Sequence, residues 1–529
     1  MKLYKKYISV ILCALIFCSV FTLSGCGNDN AYILTVELDS KPQNLDPQLS
    51  STQPQKIAVG GLFEGLVRID SSGNIVPAAA EEYKVTNNNL TYTFNLRKDA
   101  KWSNGDDVTA ADFVFGFERA LSPSTKSPMA SELFCIKNAE DYNNGKAVSL
   151  GVAAEDDYTL TVTLEKPNDN FLKILTAPVA MPCNKKAFEK AQGKYGMDGE
   201  NVVSNGSFSL RLWETEGDFL LRLNRNKKYT GKFKPQTAAV IFSMGDTASR
   251  AKKIESSNLS MGFVEVSDNI QNCNIYTFER TVYALVINKS GKFSSLDSRK
   301  AIAASIDRDS IKSDLSKSFT TCNTIVPNVV TADNEPVSKK LNLTVSESFD
   351  PDAARKSFAL ANKFKGYKMP TLNLIYYGGE AITKMAASVA NSIQKSLGVV
   401  VNIVNKNDET MFKEAIKSGD YNLAIAPITT PGSTPGEFIG TFSSLSANNC
   451  FGYKNKSVDS FVSSLPSMTE KQVLNSLPSV VNTIMSDCSL IPICFYSEAF
   501  AYEKSLTCSN ISPFGNVVDF ALVRKSSSF

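Results

Sequence analysis

The chain has 529 residues, 43% of them apolar and 21% charged, an ordinary globular balance with length for roughly three domains. Its 56 basic and 53 acidic residues leave a formal charge of only +3, so no nucleic-acid partner is expected, since such partners need a clustered basic surface. There is no histidine, which excludes Ser-His-Asp and Cys-His catalysis and His-bearing zinc sites.

Lys2, Lys5 and Lys6 precede 16 uncharged residues, Ile8 to Leu23, which run into Leu23-Ser24-Gly25-Cys26. As a helix that run spans about 24 Å, short of the ~30 Å hydrocarbon core, so residues 1–25 read as a cleavable signal peptide. The tetrapeptide resembles a bacterial lipobox, in which the cysteine is lipidated through sulfur and becomes the new N-terminus. Cys26 is therefore the expected lipidation site, with palmitate or a related acyl chain as anchor. Residues 26–30 form a short polar tether. The signal peptide removes three lysines from the 56 basic residues, leaving 53 against 53 acids. Acyl chains rather than a polybasic patch would hold such a chain on a membrane. An ordinary signal peptide with an incidental cysteine is the plainer alternative.

The first expected strand is Tyr32 to Leu38, where Leu34, Val36 and Leu38 alternate with Thr35 and Glu37. Thr91 to Leu96 and Thr159 to Leu164 alternate in the same way. Between them Thr109 is a helix N-cap with Asp112 in the capping-box position, followed by Phe113, Phe117 and Ala120 at helical spacing. Farther on, Thr371–Tyr377 reads as a strand. Ile382, Met385, Ala386, Val389, Ile393 and Leu397 then make an apolar helical stripe. A strand at Val399–Val404, a helix at Glu409–Lys417 and a strand at Tyr421–Ile425 follow. This alternation predicts an α/β fold with a mixed or parallel sheet. After Cys26 eight cysteines remain, with no CxxC pair; they allow up to four disulfides in any of 105 pairings, or buried thiols.

The string from Leu96 to Leu121, Leu-Arg-Lys-Asp-Ala-Lys-Trp-Ser-Asn-Gly-Asp-Asp-Val-Thr-Ala-Ala-Asp-Phe and on to Phe117-Glu118-Arg119-Ala120-Leu121, closely resembles the signature of the oligopeptide- and dipeptide-binding lipoproteins of ABC importers. Leu45-Asp46-Pro47, Leu62-Phe63-Glu64-Gly65-Leu66, Asn205-Gly206-Ser207-Phe208, Arg299-Lys300-Ala301-Ile302 and Asp350-Pro351 follow in the family's order. The resemblance implies a two-lobed, periplasmic-binding-protein-like II fold with an additional inserted domain. Lobe I would combine residues 31–60, 190–284 and 496–529. The inserted domain would be 61–189 and lobe II 285–495. It further implies closure of the lobes on a ligand by a hinge. Delivery to ABC permease subunits, a monomeric receptor, no cofactor and no catalysis are implied as well.

Peptide-binding relatives carry Gly-Trp-x-x-Asp-Tyr-x-x-Pro after the strand matching Tyr421–Ala426, and its aspartate pairs with the peptide amine. Here the run is Ile425-Ala426-Pro427-Ile428-Thr429-Thr430-Pro431-Gly432-Ser433-Thr434-Pro435, with Pro431 at the aspartate position. Two readings stand. Either the peptide is held by main-chain hydrogen bonds and acids elsewhere, with Asp408 and Glu437 as candidates, or the ligand lacks a free amine. The ligand-binding candidates are Ser51, Thr52, Gln53, Tyr283, Asn288, Thr429, Thr430, Pro431 and Asn449. No catalytic or metal-binding set is expected. The function so implied is capture of extracellular peptides for import. The alternatives are peptide sensing and reception of a non-peptide or amine-blocked solute.

Overall fold

Eleven strands build one continuous sheet. They are β1 (Ile33–Leu38), β2 (Phe208–Glu214), β3 (Leu220–Arg225), β4 (Ala239–Met244), β5 (Met261–Val264), β6 (Cys273–Ile287), β7 (Phe319–Thr321), β8 (Thr371–Tyr376), β9 (Val400–Asn405), β10 (Leu423–Thr429) and β11 (Leu490–Glu503). The computed structural model describes residues 31–526 apart from 148, 169, 267–270, 334, 363–370, 447, 466–467, 510 and 515–516. The signal peptide, Cys26 and the tether expected over residues 1–30 lie outside the described residues. From Ile33 onward the chain packs as one unit.

The strand order is β9-β8-β10-β6-β11-β5-β1-β4-β3-β2, with β7 also on β11. At one end β8 runs parallel to both β9 and β10. The crossover helices Glu380–Leu397 and Glu409–Ser418 make this the βαβ arrangement expected from the alternation. Helix Glu380–Leu397 buries Met385, Ala386, Val389, Ile393 and Leu397 and ends on Gly398 at φ 69°, where only a residue without Cβ sits at no cost. Along β6, Val282, Ala284 and Val286 enter one core, while Leu285 and Ile287 enter the other. This end of the sheet is therefore covered on both faces. At the other end β1 lies parallel to β4 and β5, and β3 and β2 continue antiparallel.

A separate antiparallel sheet takes Ala80–Thr86, Thr91–Leu96, Thr159–Thr163 and Val152–Asp156 in that order. Tyr92, Phe94 and Leu96 are its buried face. Helix Ala110–Leu121 packs beside it, and its N-terminus carries the expected box: Thr109 N–H and hydroxyl both donate to the Asp112 carboxylate, at 2.9 and 3.2 Å. Trp102, fully buried, donates its indole N–H to the same carboxylate at 3.1 Å.

The remaining motif residues are ties between segments distant in sequence. Asp46 is fully buried, accepts from the N–H of Gln48 at 3.1 Å, and forms an ion pair with buried Arg119. Asn205 exchanges two hydrogen bonds with the backbone of Glu64, at 2.8 and 3.0 Å. A Cβ on Gly206 would stand 2.6 Å from the Leu62 carbonyl oxygen, so that close approach requires glycine. All eight cysteines after Cys26 are free thiols. Cys322 and Cys494 belong to cores on opposite faces of the sheet, and burial pushes the Cys183 and Cys508 thiols up to about 12.

Candidate functional site at the crossing of the long strands

β6 and β11 pair antiparallel from Cys273 opposite Glu503 to Val286 opposite Leu490. At one end β5 pairs with β11 over Ala499–Tyr502, and at the other β10 pairs with β6 over Thr281–Ile287. These two strands thus belong to both halves of the sheet. Between the halves the register slips by one residue at Glu279/Thr281, leaving Arg280 as the extra residue of a bulge. A second register shift follows at Tyr283/Ala284, and bulges of this kind locally increase twist and bend a strand.

Charged side chains from several elements lie around the bulge. The Arg280 guanidinium forks onto Glu498, with Nη2 at 3.1 Å from Oε1, while its carbonyl accepts from the N–H of Thr430 at 3.0 Å. Helix Gln53–Leu62 brings Lys56, whose ammonium feels both Arg280 and Glu132. Burial pushes its pKa down, with Glu132 opposing and Arg280 reinforcing that shift. Glu132 stands on the 3-10 turn Ala130–Leu133. Burial drives its pKa up, Lys56 opposes, and Glu437 adds to the rise. Glu437 itself, on the short helix Pro435–Gly440, accepts from the N–H and hydroxyl of Thr434 at 2.9 and 2.8 Å and from Lys173 at 3.3 Å. Lys173 belongs to Phe171–Ile174 and also reaches Ser433 at 3.3 Å.

Next to this junction is a cavity of about 190 Å³ lined by Tyr377, Glu409, Lys413, Pro427, Thr429, Asn448 and Cys450. It lies past the carboxyl ends of β8 and β10, where β8 has parallel neighbours on both sides, the position at which α/β sheets bind ligands. Glu409 and Lys413 pair across one helical turn at 2.8 Å on its wall. Burial raises the Tyr377 hydroxyl and the Cys450 thiol, and the Glu409 charge adds to both.

The family profile described as bacterial extracellular solute-binding proteins, family 5 Middle, matches residues 74–450. The chain belongs to this family. It is 27% identical over 490 residues to the dipeptide-binding protein DppE of Bacillus subtilis, covering 90% of this chain and 88% of that one. It is 29% identical over 492 residues to the periplasmic oligopeptide-binding protein OppA of Escherichia coli, covering 87% and 86%. The solved substrate-binding domain of an oligopeptide ABC transporter from Bacillus anthracis superposes with a TM-score of 0.76 at 25% identity, over 94% of this chain and 99% of that one. The fold is accordingly the two-lobed one of the family 5 proteins, as the sequence motifs imply.

Against this family 5 frame, the sequence-derived candidates divide. Thr429 and Thr430 lie at the crossing: the Thr429 hydroxyl stands 2.8 Å from that of Thr281, and Thr430 is buried with its hydroxyl on the Gly432 carbonyl at 2.7 Å. Pro431 is exposed beside them. Tyr283 is half-buried opposite Pro427, its ring edge-on to Phe319 and Tyr496 at 5.8 and 6.5 Å. Thr52 is the N-cap of the helix that carries Lys56, with Ser51 just before it; the N–H groups of both and the Thr52 hydroxyl donate to the Gln55 side-chain oxygen, and Gln53 opens the helix. Asn288 is elsewhere, and Asn449 stands between Asn448 and Cys450 of the cavity wall. Asn288, past the far end of β6, clamps the carbonyls of Gly419 and Tyr421 at 3.0 Å each. Asn449 braces its own loop through the carbonyls of Ser443 and Tyr453 and the N–H of Tyr453.

The two acids named as replacements for the missing aspartate are engaged as well. Asp408 is an exposed N-cap that accepts from Met411 N–H at 2.8 Å, and Glu437 is bound as described. Sequence reading missed Lys56, Glu132, Lys173 and the Arg280–Glu498 fork. Only a pair such as Glu409 and Lys413, four residues apart on one helix, carries a local signal of its geometry. Among the described residues no group of three or more cysteine, aspartate or glutamate side chains is placed to hold a metal ion, and no helix is long and apolar enough to cross a membrane.

Proposed function

We propose that this protein is a substrate-binding receptor of an ABC importer that takes up peptides between its two lobes and presents them to membrane permease subunits. The observation that carries the reading is the sheet continuous through β6 and β11, bulged at Arg280, with charged groups from several elements beside the bulge. Such a joint lets the lobes rotate while the bound ligand bridges them, so ligand binding favours the closed state. The family membership and the dipeptide- and oligopeptide-binding relatives support peptides as cargo.

Within this reading, residues 31–60, 190–284 and 496–529 make the first lobe, 61–189 an inserted domain and 285–495 the second lobe. Lys173 on Glu437 then joins the inserted domain to the second lobe. Thr429, Thr430, Pro431 and Tyr283 border the ligand, and Ser51, Thr52 and Gln53 hold the helix of Lys56 in place. Binding without turnover is the whole activity, carried out by a monomer. Cys26 carries the acyl anchor at the extracytoplasmic face of the membrane, which confines the receptor near its permease and raises their effective concentration.

A thermal-shift screen of the mature chain with short peptides tests this. A true ligand stabilises by about 2.7 kcal/mol at a hundred times its dissociation constant. Mass spectrometry of the recovered peptide should show it intact. Cleaved peptide, or no shift with any peptide, would overturn the reading. Cys26→Ala is expected to release the protein from membranes with peptide affinity unchanged.

A further inference from the structure

Overall neutrality of the mature chain conceals a local asymmetry. From Phe219 to Gly245 the chain carries Arg222, Arg225, Lys227, Lys228, Lys232 and Lys234 and no acid. The lysines are all exposed, on the loop that joins β3 to β4. That loop is held at its base, where the Arg225 guanidinium donates to the carbonyls of Thr237 and Gln236 at 3.2 and 2.6 Å. It is held along its length as well. Tyr229 donates to Glu64, the Thr230 hydroxyl donates to the Asp99 carbonyl at 3.0 Å, and Arg68 stacks on the Phe233 ring at 4.1 Å. The acids beside the loop are engaged, Asp99 by Arg97 at 3.1 Å and Asp106 by Asn104 and Asn184 at 2.8 and 3.2 Å. Exposed Glu214, Glu216 and Asp218 stand at the opposite end of the same strands, in the turn from β2 to β3, where Lys41 reaches the Thr215 carbonyl at 2.9 Å.

The place of this loop gives its charge a partner. Ile33, where β1 begins, pairs with Ala239, where the loop re-enters the sheet, and Ala239 pairs on its other side with Asn224. The loop and the first strand therefore share one end of the sheet. Seven residue steps separate Cys26 from Ile33, a reach of at most about 25 Å when fully extended. An acyl group on Cys26 thus keeps Ile33, and the sheet end that carries the lysines, within that reach of the bilayer. We propose that Lys227, Lys228, Lys232 and Lys234 form a docking face for the anionic headgroups of the membrane that anchors the chain. The acyl chains hold the receptor there, and the lysines turn this end of the sheet toward the surface. This rests on the anchor at Cys26 and adds an orientation to it. An anionic lipid surface favours each nearby lysine about fivefold, within a Debye length. The reverse orientation would bring Glu214, Glu216 and Asp218 against like charge.

The test uses the mature chain with Cys26→Ala, which carries no acyl group. It is sedimented with vesicles of equimolar phosphatidylglycerol and phosphatidylcholine, or of phosphatidylcholine alone. At low salt it should prefer the anionic vesicles by at least about tenfold. The preference should vanish at about 1 M salt, where the Debye length is about 3 Å. Adding Lys227→Gln, Lys228→Gln, Lys232→Gln and Lys234→Gln together should abolish the preference. A control with Lys356→Gln, Lys395→Gln, Lys417→Gln and Lys471→Gln has the same net charge and should keep it. Both variants should retain the melting midpoint and peptide affinity of the parent. A preference that survives in the first variant, or falls equally in the control, overturns the assignment. Binding to neither vesicle overturns lipid as the partner and directs the lysines to an acidic protein surface. Mass spectrometry of the wild-type chain from membranes reads the anchor separately: an unmodified Cys26 overturns the anchor, whatever the vesicles show.

Discussion

The motif-rich region around Trp102, Asp46 and Asn205 and the junction around Lys56 and Glu132 treat buried polar groups in opposite ways. In the first, each key side chain meets a protein partner: Asp112 takes Trp102 and Thr109, Asp46 takes Arg119, and Asn205 takes Glu64. In the second, the Glu132 carboxylate and the Lys56 ammonium feel each other's charge but form no ion pair among the described residues. The contrast separates side chains tied into the fold from side chains that the fold leaves without an ion-pair partner. A closed network resists change because any loss leaves a buried group unpaired. An unpaired, half-buried charge costs stability.

The largest effect should come from the closed network. Asp46→Ala strips buried Arg119 of its carboxylate and is expected to destabilise by about 3–5 kcal/mol, read by chemical denaturation. Gly206→Ala should follow at about 1–3 kcal/mol, because its Cβ meets the Leu62 carbonyl oxygen. Asn449→Ala should cost on the order of 1–3 kcal/mol by releasing three hydrogen bonds of its loop, while peptide affinity stays near that of the wild type. A large affinity loss at unchanged stability would make Asn449 a ligand contact instead. Glu409→Gln, breaking a half-exposed pair, should change stability by no more than about 0.5 kcal/mol.

Glu132 carries a signature in pH of the opposite sign from an ordinary salt bridge. The folded pKa of Glu132 lies above its unfolded value because burial disfavours the charge. Its contribution to stability is therefore present below the unfolded carboxyl range and lost as pH rises through the folded pKa. Glu132→Gln is accordingly expected to melt higher than the wild type at neutral pH without peptide, with the gap closing in acid. A variant that melts lower at neutral pH would place Glu132 among the fold-holding residues.

Much of the fold was legible because its signals are local. The alternation of Thr91–Leu96 and the capping box at Thr109 and Asp112 locate their elements to the residue. The strand expected at Tyr421–Ile425 instead spans Leu423–Thr429. Pro427 reads as a strand stop, but β8 pairs with β10 only at Leu423 and Ala424, so the later residues have an open edge where proline is tolerated. The site was less legible for the same reason in reverse. Asn288 looks like a cleft residue as a polar side chain after a strand, and its amide is spent on the carbonyls of Gly419 and Tyr421. Lys56, Glu132 and Glu437 are far apart in sequence, and nothing local marks their convergence. That a proline stands at 431, where the resemblance leads one to expect an aspartate, was visible in the sequence.

Native mass spectrometry of the mature wild-type chain with an equimolar mixture of one pool of short peptides in free-amine and N-acetylated form tests the central claim most directly. The account predicts one peptide per chain, recovered intact. A chain that carries no peptide of either form would contradict it.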